Sequence, residues 1–284
     1  MRLSIIVPTY NNLDYLKFFL LSLKNNSHYK HEIVLHINNG SDGSLDYAIE
    51  NNIKYTHSDS NIGLCSSMNK AYSITTSNHI LYAHDDMYFC KDWDVYLINE
   101  INKQIDNLYY LTGTNVSTRY GLINYDCGSS LKNFDEKKFF NFCLNDKTKD
   151  LQGSHWAPHL IHRELWDKIG GFSEEFNPGD GSDPDFCMKL WLANVRIFKS
   201  ISKFKVYHFN SITTRNDKII LNNGTKQFLL KYGFNPRFFR KYYLKGNNTI
   251  IPFIGKLSNP KITFFMFKDI LINKFKFFLL KFRS

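Results

Sequence analysis

The stretch Leu3-Ser4-Ile5-Ile6-Val7-Pro8-Thr9-Tyr10-Asn11 opens the chain with a short apolar run that meets a proline and then polar residues. A run of this length and composition predicts a buried strand over Leu3–Val7 that stops at Pro8. Apolar residues then recur at helical spacing over Leu13–Leu23, which predicts an amphipathic helix. The opening therefore indicates the first strand and helix of an α/β fold.

The same alternation continues along the chain. Strands are predicted over His31–Ile37, Ile53–His57 and His79–Ala83, and helices over Leu45–Asn51 and Asn61–Thr75. Strands that alternate with helices at this spacing indicate βαβ units and a mostly parallel sheet.

Polar residues follow three of the predicted strands, in the segments Pro8–Asn11, Asn38–Ser44 and His84–Asp86. In parallel sheets ligands bind beyond the carboxyl ends of the strands. We therefore expect these three segments to converge on one ligand-binding edge.

Asp85 and Asp86 directly follow an apolar strand. Two adjacent carboxylates repel each other and suit a hard divalent cation that also binds phosphate oxygens. A solvated turn is the alternative interpretation.

A second acidic group, Asp180, Asp183 and Asp185, precedes an amphipathic stretch. Asp183 or Asp185 could cap that helix, and a carboxylate at a helix start beside a cleft could equally act as a general base. His208 ends another strand-like run, where it is either a packed residue or a ligand.

Aromatic residues near position 155 could contact a sugar. His155 and Trp156 could stack on a sugar face, although core packing also explains a single tryptophan. His155, His159 and His162 resemble zinc-helix spacing, but Pro158 interrupts the helix and no glutamate occupies the required position. The chain also lacks GxxxxGK[ST] and GxGxxG, which argues against a P-loop or a dinucleotide fold.

Charge is distributed unevenly. The net charge is +10, and residues 226–284 carry 13 Lys and Arg against one acid, Asp269, so the rest of the chain is close to neutral. This asymmetry indicates a tail that meets an anionic surface and argues against a nucleic-acid-binding body.

Five scattered cysteines without a CxxC pattern indicate free thiols in a reducing compartment. No apolar run is long enough for a signal-peptide core or a spanning helix. We therefore expect a cytoplasmic protein.

Residues 261–283 are aromatic, aliphatic and cationic. As a helix they would place Lys268, Asp269, Asn273, Lys276 and Arg283 on one broad side. Such a basic amphipathic helix can lie in a membrane interface. A helix packed on the body or on a second subunit is the alternative.

Taken together, these segments resemble the inverting GT-A glycosyltransferases of family 2. The matching segments are residues 5–11, 38–44, 61–63 with Asn69, 84–86, 166–176 and 182–186. The resemblance implies an α/β fold with a mixed, mostly parallel sheet flanked by helices over residues 1–212. A basic, helical C-terminal extension would follow over residues 213–284.

The resemblance also implies roles for individual residues. Those that would contact the nucleotide sugar are Pro8, Thr9, Tyr10, Asn11, Asn38, Asp42, Asn61, Gly63 and Asp85. Asp86 and His208 would bind Mn²⁺ or Mg²⁺ at the diphosphate, and Asp183 would take the proton from the acceptor hydroxyl. Candidates for acceptor contact are His155, Trp156, Asp180 and Asp185.

Three positions depart from the family pattern. Asn38 replaces an Asp, His84 replaces the first Asp of Asp-x-Asp, and Ser182 replaces the Glu before the base. Fewer carboxylates are therefore available for the metal, and Asp180 and Asp185 stay alternatives to Asp183 as the base.

The sequence lacks the Gln-x-x-Arg-Trp motif of processive synthases, so transfer of a single sugar is expected. The expected donor is a nucleoside diphosphate sugar, with uridine as the base. The expected acceptor is a glycan or lipid-linked molecule of surface polysaccharide assembly, at the inner face of the cell membrane. A nucleotidyltransferase and a non-catalytic sugar- or nucleotide-binding descendant are the alternatives.

Overall fold

The computed structural model describes residues 1–153, 157–210, 222–246 and 251–282. Strands of these residues form one sheet: β1 (Ser4–Tyr10), β2 (Glu32–Asn38), β3 (Lys54–Ser58), β4 (His79–Tyr82), β5 (Met87–Phe89), β6 (Tyr109–Ser117), β7 (Ile123–Asn124), β8 (Leu151–Gln152), β9 (His159–His162) and β10 (Ile197–His208). Helices are α1 (Leu13–Asn26), α2 (Ser44–Glu50), α3 (Leu64–Ser73), α4 (Trp93–Ile101), α5 (Glu136–Asn145), α6 (Arg163–Ile169), α7 (Ser182–Leu192), α8 (Gly224–Tyr232), α9 (Pro236–Phe239) and α10 (Phe264–Lys281).

The sheet is mixed and mostly parallel, as predicted. Its order is β3-β2-β1-β4-β9-β6-β10-β5, with β7 beside β6 and β8 beside β10. Strands β1 to β4 pair in parallel, and so do β6 and β10. Strand β9 runs antiparallel between β4 and β6 and joins the two parallel halves.

Strand β1 continues beyond the proline at which the sequence pattern predicted its end. The carbonyl oxygen of Ile6 accepts a hydrogen bond from the Ala83 backbone amide at 3.2 Å, so Ile6 faces the β4 side. Pro8, two residues later, faces the same side, where pairing with β4 ends at Tyr82. The N–H that proline lacks is therefore not needed there, and β1 extends to Tyr10 along β2.

Helices pack against the sheet through fully buried side chains. Helix α3 contacts β1 and β2 and buries Cys65, Met68 and Ala71. Helix α1 contacts β5, and α4 contacts β10, where Trp93 is completely buried. Apolar burial of this kind fixes the positions of the strand ends that carry the candidate site.

Helix α10 lies on the body through one narrow face. Met266 and Asn273 are buried, and Ile270 and Phe277, at matching helical spacing, are partly buried. The Asn273 side-chain oxygen accepts a hydrogen bond from the Asn235 backbone amide at 2.9 Å. Asp269 accepts hydrogen bonds from Lys241 at 2.8 Å and from the Tyr242 hydroxyl at 2.7 Å.

The opposite side of α10 is exposed and strongly apolar. We call it the outer face; its residues are Phe264, Phe267, Leu271, Phe275, Phe278 and Leu279. Among the helices of the described ranges, none combines the length and hydropathy needed to cross a bilayer. The sequence-predicted division between residues 212 and 213 lies within 211–221, outside the described residues.

Candidate functional site

The predicted ligand edge is formed by buried side chains from three strand ends. The Thr9 hydroxyl donates a hydrogen bond to Asp85 Oδ2 at 2.6 Å. Asn38 Nδ2 donates to the Thr9 carbonyl at 3.3 Å, and Asn38 Oδ1 accepts from the Ile62 amide at 3.0 Å. Thr9, Asn38 and Asp85 therefore hold the ends of β1, β2 and β4 together.

The loops after β1 and β2 are tied to each other by side-chain caps. Asp42 Oδ2 accepts a hydrogen bond from the Leu13 amide at 2.7 Å, and its Oδ1 accepts from the Ser44 amide and hydroxyl. Asn11 Oδ1 accepts from the Gly40 amide at 3.2 Å. Both oxygens of Asp42 thus already bind protein, a structural role that its sequence motif does not reveal.

Glycine is required at position 63, at the start of α3. Gly63 has a φ of +83°, and a Cβ there would lie 2.4 Å from the side-chain oxygen of Asn177. That oxygen accepts a hydrogen bond from the Cys65 amide at 3.0 Å, and Asn61 Oδ1 accepts from the Gly63 amide at 2.9 Å. Gly63 therefore allows the close packing that brings the segment of Asn177 against α3.

Three potential metal ligands converge beyond β4 and β10. Asp86 Oδ1 lies 3.0 Å from His208 Nε2 and 4.0 Å from His84 Nδ1. The two imidazole nitrogens are 3.4 Å apart, and one ligand atom from each residue lies within 4.8 Å of the others. Two imidazoles and one carboxylate form a donor set that suits a divalent transition ion, so these residues fit the metal that the resemblance implies.

His84 was missed as a ligand by sequence reasoning, which treated it only as the loss of a carboxylate. Desolvation, followed by the facing His208, lowers the pKa of His84 to about 4. The imidazole is therefore neutral at pH 7 and keeps a nitrogen lone pair. A histidine two residues before an aspartate at a strand end was the available signal.

Asp85 is buried next to this cluster. Burial, followed by the negative charge of Asp86, raises the pKa of Asp85 to about 7. Any cation or hydrogen-bond donor that binds near such a carboxyl group stabilises its ionised form. Asp85 therefore adds to the negative potential at the carboxyl end of β4.

The three aspartates near α7 have different partners. The Asp185 carboxylate accepts hydrogen bonds from Ser173 and Tyr232 and forms an ion pair with Lys231 at 2.8 Å. Asp180 Oδ2 accepts from the Gly224 amide at 2.8 Å. Asp183 differs from both, because its Oδ1 is buried and has no hydrogen-bond partner within the described residues.

Asp183 lies in the first turn of α7, and Gly181 occupies the N-cap without a side-chain cap. The predicted capping role of Asp183 or Asp185 is therefore wrong, because the helix begins before either carboxylate can reach its first free amides. Burial raises the pKa of Asp183 to about 7. Burial, followed by the charge of Asp183, raises the pKa of Tyr82, whose hydroxyl lies 2.6 Å from His84 Nε2.

His155 and Trp156, the sequence candidates for acceptor contact, lie outside the described residues. Nearby, His159 is buried against the rings of Tyr82 and Tyr110 at centroid distances of 4.9 Å. It sits in a strand rather than a helix, which agrees with the exclusion of a zinc-helix motif.

A mixed α/β sheet with an Asp and His cluster beyond its strand ends defines the GT-A class of glycosyltransferases. The profile of glycosyl transferase family 2 matches residues 4–201, and the chain belongs to this family. The predicted family and fold are thereby confirmed.

Solved structures of similar fold include several glycosyltransferases. TarS residues 1–349 from S. aureus, in complex with UDP-GlcNAc, is 18% identical with a TM-score of 0.55, over 74% of this chain and 61% of that one. The mannosyltransferase PcManGT from Pyrobaculum calidifontis, with GDP-Man and Mn²⁺, is 13% identical with a TM-score of 0.51, over 81% and 60%. GalNAc-T7, with UDP, GalNAc and Mn²⁺, is 16% identical with a TM-score of 0.54, over 84% and 46%.

At these low sequence identities, the similarity between the chain and the solved structures shows a shared fold. The chain spans about three fifths of the TarS 1–349 structure. No curated protein matches the sequence.

Proposed function

We propose that the chain transfers a single sugar from a uridine diphosphate sugar to an acceptor hydroxyl, with inversion at the anomeric carbon. The observation that carries this proposal is the His84, Asp86 and His208 cluster, together with the buried Oδ1 of Asp183, which has no hydrogen-bond partner among the described residues. A metal cluster suited to a diphosphate and a separate base are the two components that this reaction requires.

Asp183 is the proposed general base. Its pKa of about 7 lies near neutral pH, where a carboxylate can both exist and accept a proton effectively. As the acceptor oxygen bonds to the anomeric carbon, its proton passes to Asp183. The bond from that carbon to the diphosphate breaks, and the diphosphate leaves with the electron pair.

His84, Asp86 and His208 would hold the cation. When bound, the cation offsets negative charge on the departing diphosphate. Mg²⁺ and Mn²⁺ both bind oxygen ligands well, but Mn²⁺, as a first-row transition ion, accepts imidazole nitrogen more readily than Mg²⁺ does. Within the expected choice of Mn²⁺ or Mg²⁺, two imidazoles therefore favour Mn²⁺.

The nucleotide would lie over the strand edge. Asn38 and Thr9 are buried beneath it, while Pro8, Tyr10 and Asn11 are partly exposed and available for contact. Because the Asp42 oxygens already bind backbone and Ser44 groups, its contribution would be to hold the loop in place.

The acceptor is proposed to be a glycan or lipid-linked molecule of surface polysaccharide assembly, reached at the inner face of the cell membrane. The outer face of α10 supports this setting, because exposed Phe and Leu side chains stand beside Lys274 and Lys281. Apolar groups flanked by lysines fit an anionic bilayer surface.

Vesicle sedimentation tests this setting. The protein should bind vesicles that contain phosphatidylglycerol and not vesicles of phosphatidylcholine alone. Formation of a dimer without any vesicle binding would instead assign the outer face to a second copy.

The reaction is tested by a screen of nucleotide sugars with and without Mn²⁺, with release of the nucleoside diphosphate as the readout. Metal-dependent release from a uridine donor is expected, and Asp86→Asn should reduce it on the order of 10³-fold because a metal ligand is lost. Asp106→Asn is the matched control, because Asp106 lies before β6 at the opposite end of the sheet, where its Oδ1 accepts a hydrogen bond from the Leu108 amide.

Metal-independent binding without turnover on any donor would leave a non-catalytic descendant as the better description. Transfer of a nucleotidyl group to a sugar phosphate would favour the nucleotidyltransferase.

A further inference from the structure

Asn115 stands directly behind one of the three candidate metal ligands. It lies on β6, and its Nδ2 is 3.1 Å from Nδ1 of His208. The other ring nitrogen, Nε2, faces Asp86 Oδ1 at 3.0 Å. The side-chain oxygen of Asn115 is buried and has no hydrogen-bond partner within the described residues.

These contacts couple the tautomer of His208 to the orientation of the Asn115 amide. With the amide nitrogen donating to Nδ1, the proton of the neutral imidazole sits on Nε2 and points at Asp86. In that tautomer Nε2 has no lone pair for a cation. Metal binding through Nε2 requires the proton on Nδ1, and a buried N–H in that position needs an acceptor.

The unpartnered oxygen of Asn115 can supply that acceptor. Rotation of the amide by about half a turn brings Oδ1 to Nδ1 without a change in side-chain volume. The rotation conserves the hydrogen bond between Asn115 and His208, but the Nε2–H bond to Asp86 is lost. The rotated arrangement is therefore less stable without a cation, and a bound cation, which takes the place of the Nε2 proton, would select it.

We propose that Asn115 is a positioning residue for the metal: its amide rotates as the cation binds and accepts the Nδ1 proton of His208. This inference rests on the proposed metal centre and deepens it. A metal-bound histidine ordinarily donates its second N–H to such an outer partner, and loss of the partner typically weakens metal binding about 10- to 100-fold.

Tyr82 occupies the equivalent position behind His84. Its hydroxyl is fully buried and lies 2.6 Å from His84 Nε2, while His84 Nδ1 faces Asp86 and His208. A hydroxyl can donate or accept, so it serves His84 in either tautomer. Both imidazoles thus have a polar partner on the side away from the cluster.

The test is Mn²⁺ affinity of the purified full chain without any donor, measured from the electron paramagnetic resonance signal of free Mn²⁺. Asn115→Leu keeps the volume but removes the acceptor, and it should weaken binding about 10-fold or more. Asn115→Asp can only accept from Nδ1, and it should bind Mn²⁺ at least as tightly as the wild type. A purely structural role would not separate the two variants in this way.

Thr112→Val is the matched control. Thr112 lies on the same strand and is buried, and its hydroxyl oxygen also has no hydrogen-bond partner in the part of the chain that the structure describes. Loss of this hydroxyl should leave Mn²⁺ affinity within about twofold. Melting temperatures show whether each variant is folded. If Asn115→Leu does not fold, the Mn²⁺ affinity of Asn115→Asp tests the role of Asn115.

Wild-type affinity in folded Asn115→Leu, or a large loss in Asn115→Asp, would overturn the role of Asn115 while leaving the metal centre intact. Failure of the wild type to bind Mn²⁺ would overturn the metal centre itself, and this inference with it.

Discussion

The strand edge and helix α10 place apolar and polar side chains in opposite ways. At the edge, polar groups such as Asp85 and Asn38 are buried but hydrogen-bonded, and apolar side chains fill the layers beneath. In α10 the face toward the body contains the buried Asn273 and the partly exposed Asp269, while phenylalanines and leucines are exposed on the other side. At the strand edge, neighbouring residues of the chain hold the polar side chains in place. The outer face of α10 instead exposes apolar side chains, for which we expect a further binding partner.

The largest expected effect concerns the edge and its proposed base. Asp183→Asn should lower kcat about 10²- to 10⁴-fold, because general-base transfer is lost. Since the pKa of Asp183 is about 7, wild-type turnover should rise as the pH increases through about 7, and this limb should be absent in the variant. A pH–rate profile of the wild type and the variant measures both the decrease in kcat and the loss of the rising limb.

The same substitution has a defined effect on stability. Burial raises the pKa of Asp183 from 3.8 to about 7, so the fold prefers the neutral carboxyl. Wild-type stability should therefore fall relative to Asp183→Asn as the pH rises between these two values. Asp185→Asn is the control: it breaks a buried ion pair with Lys231, and should lower the melting temperature while the activity limb near pH 7 persists.

A smaller effect is expected at His84. His84→Asp replaces an imidazole by a carboxylate, and it should shift the preference from Mn²⁺ toward Mg²⁺ by about tenfold. Calorimetric titration of both ions against the wild type and the variant measures the ratio of dissociation constants. An unchanged ratio would remove His84 from the ligand set.

On the side of α10, Lys274 tests the anionic partner. Lys274→Gln should weaken binding to phosphatidylglycerol vesicles about fivefold, since a cation near an anionic bilayer contributes about 1 kcal/mol. Lys30→Gln, an exposed lysine on the loop between α1 and β2, should leave vesicle binding unchanged. Equal losses in both variants would point to unspecific attraction by net charge.

The smallest effect concerns the attachment of α10 to the body. Asp269→Asn removes a partly exposed ion pair with Lys241, which is worth less than about 1 kcal/mol. Amide hydrogen exchange over residues 264–281 should become modestly faster, with global stability nearly unchanged. Exchange at the wild-type rate would show that Asn273 and the buried apolar residues hold the helix alone.

Local patterns were sufficient to predict the first half of the fold. Strands β1, β2 and β4 contain short apolar runs followed by polar turns, so their type, their succession along the chain and the polar edge could be inferred from the sequence. The predicted end of the first strand at Pro8 was wrong, because the effect of a proline depends on which neighbouring strand its missing N–H faces. That neighbour is defined only by the pairing of β1 with β4.

Long-range contacts could not be predicted in the same way. Asp183 and Asp185 are two residues apart, and they are distinguished by the long-range contacts of Asp185 with Ser173, Lys231 and Tyr232. His84 becomes a candidate ligand only because β10 brings His208 within 3.4 Å of it. The spacing of His84 and Asp86 is a local signal for a ligand, but neither long-range contact can be inferred from it.

The placement of β9 has a consequence for how the protein is made. Residues 159–162 fill the gap between β4 and β6, yet the ribosome produces them after both of those strands. Until they emerge, the edge of β4 has no neighbour on that side and can pair with wrong partners. His208 arrives later still, so the proposed metal centre can be assembled only after β10 has been translated, when the residues that join the two halves of the sheet are already present.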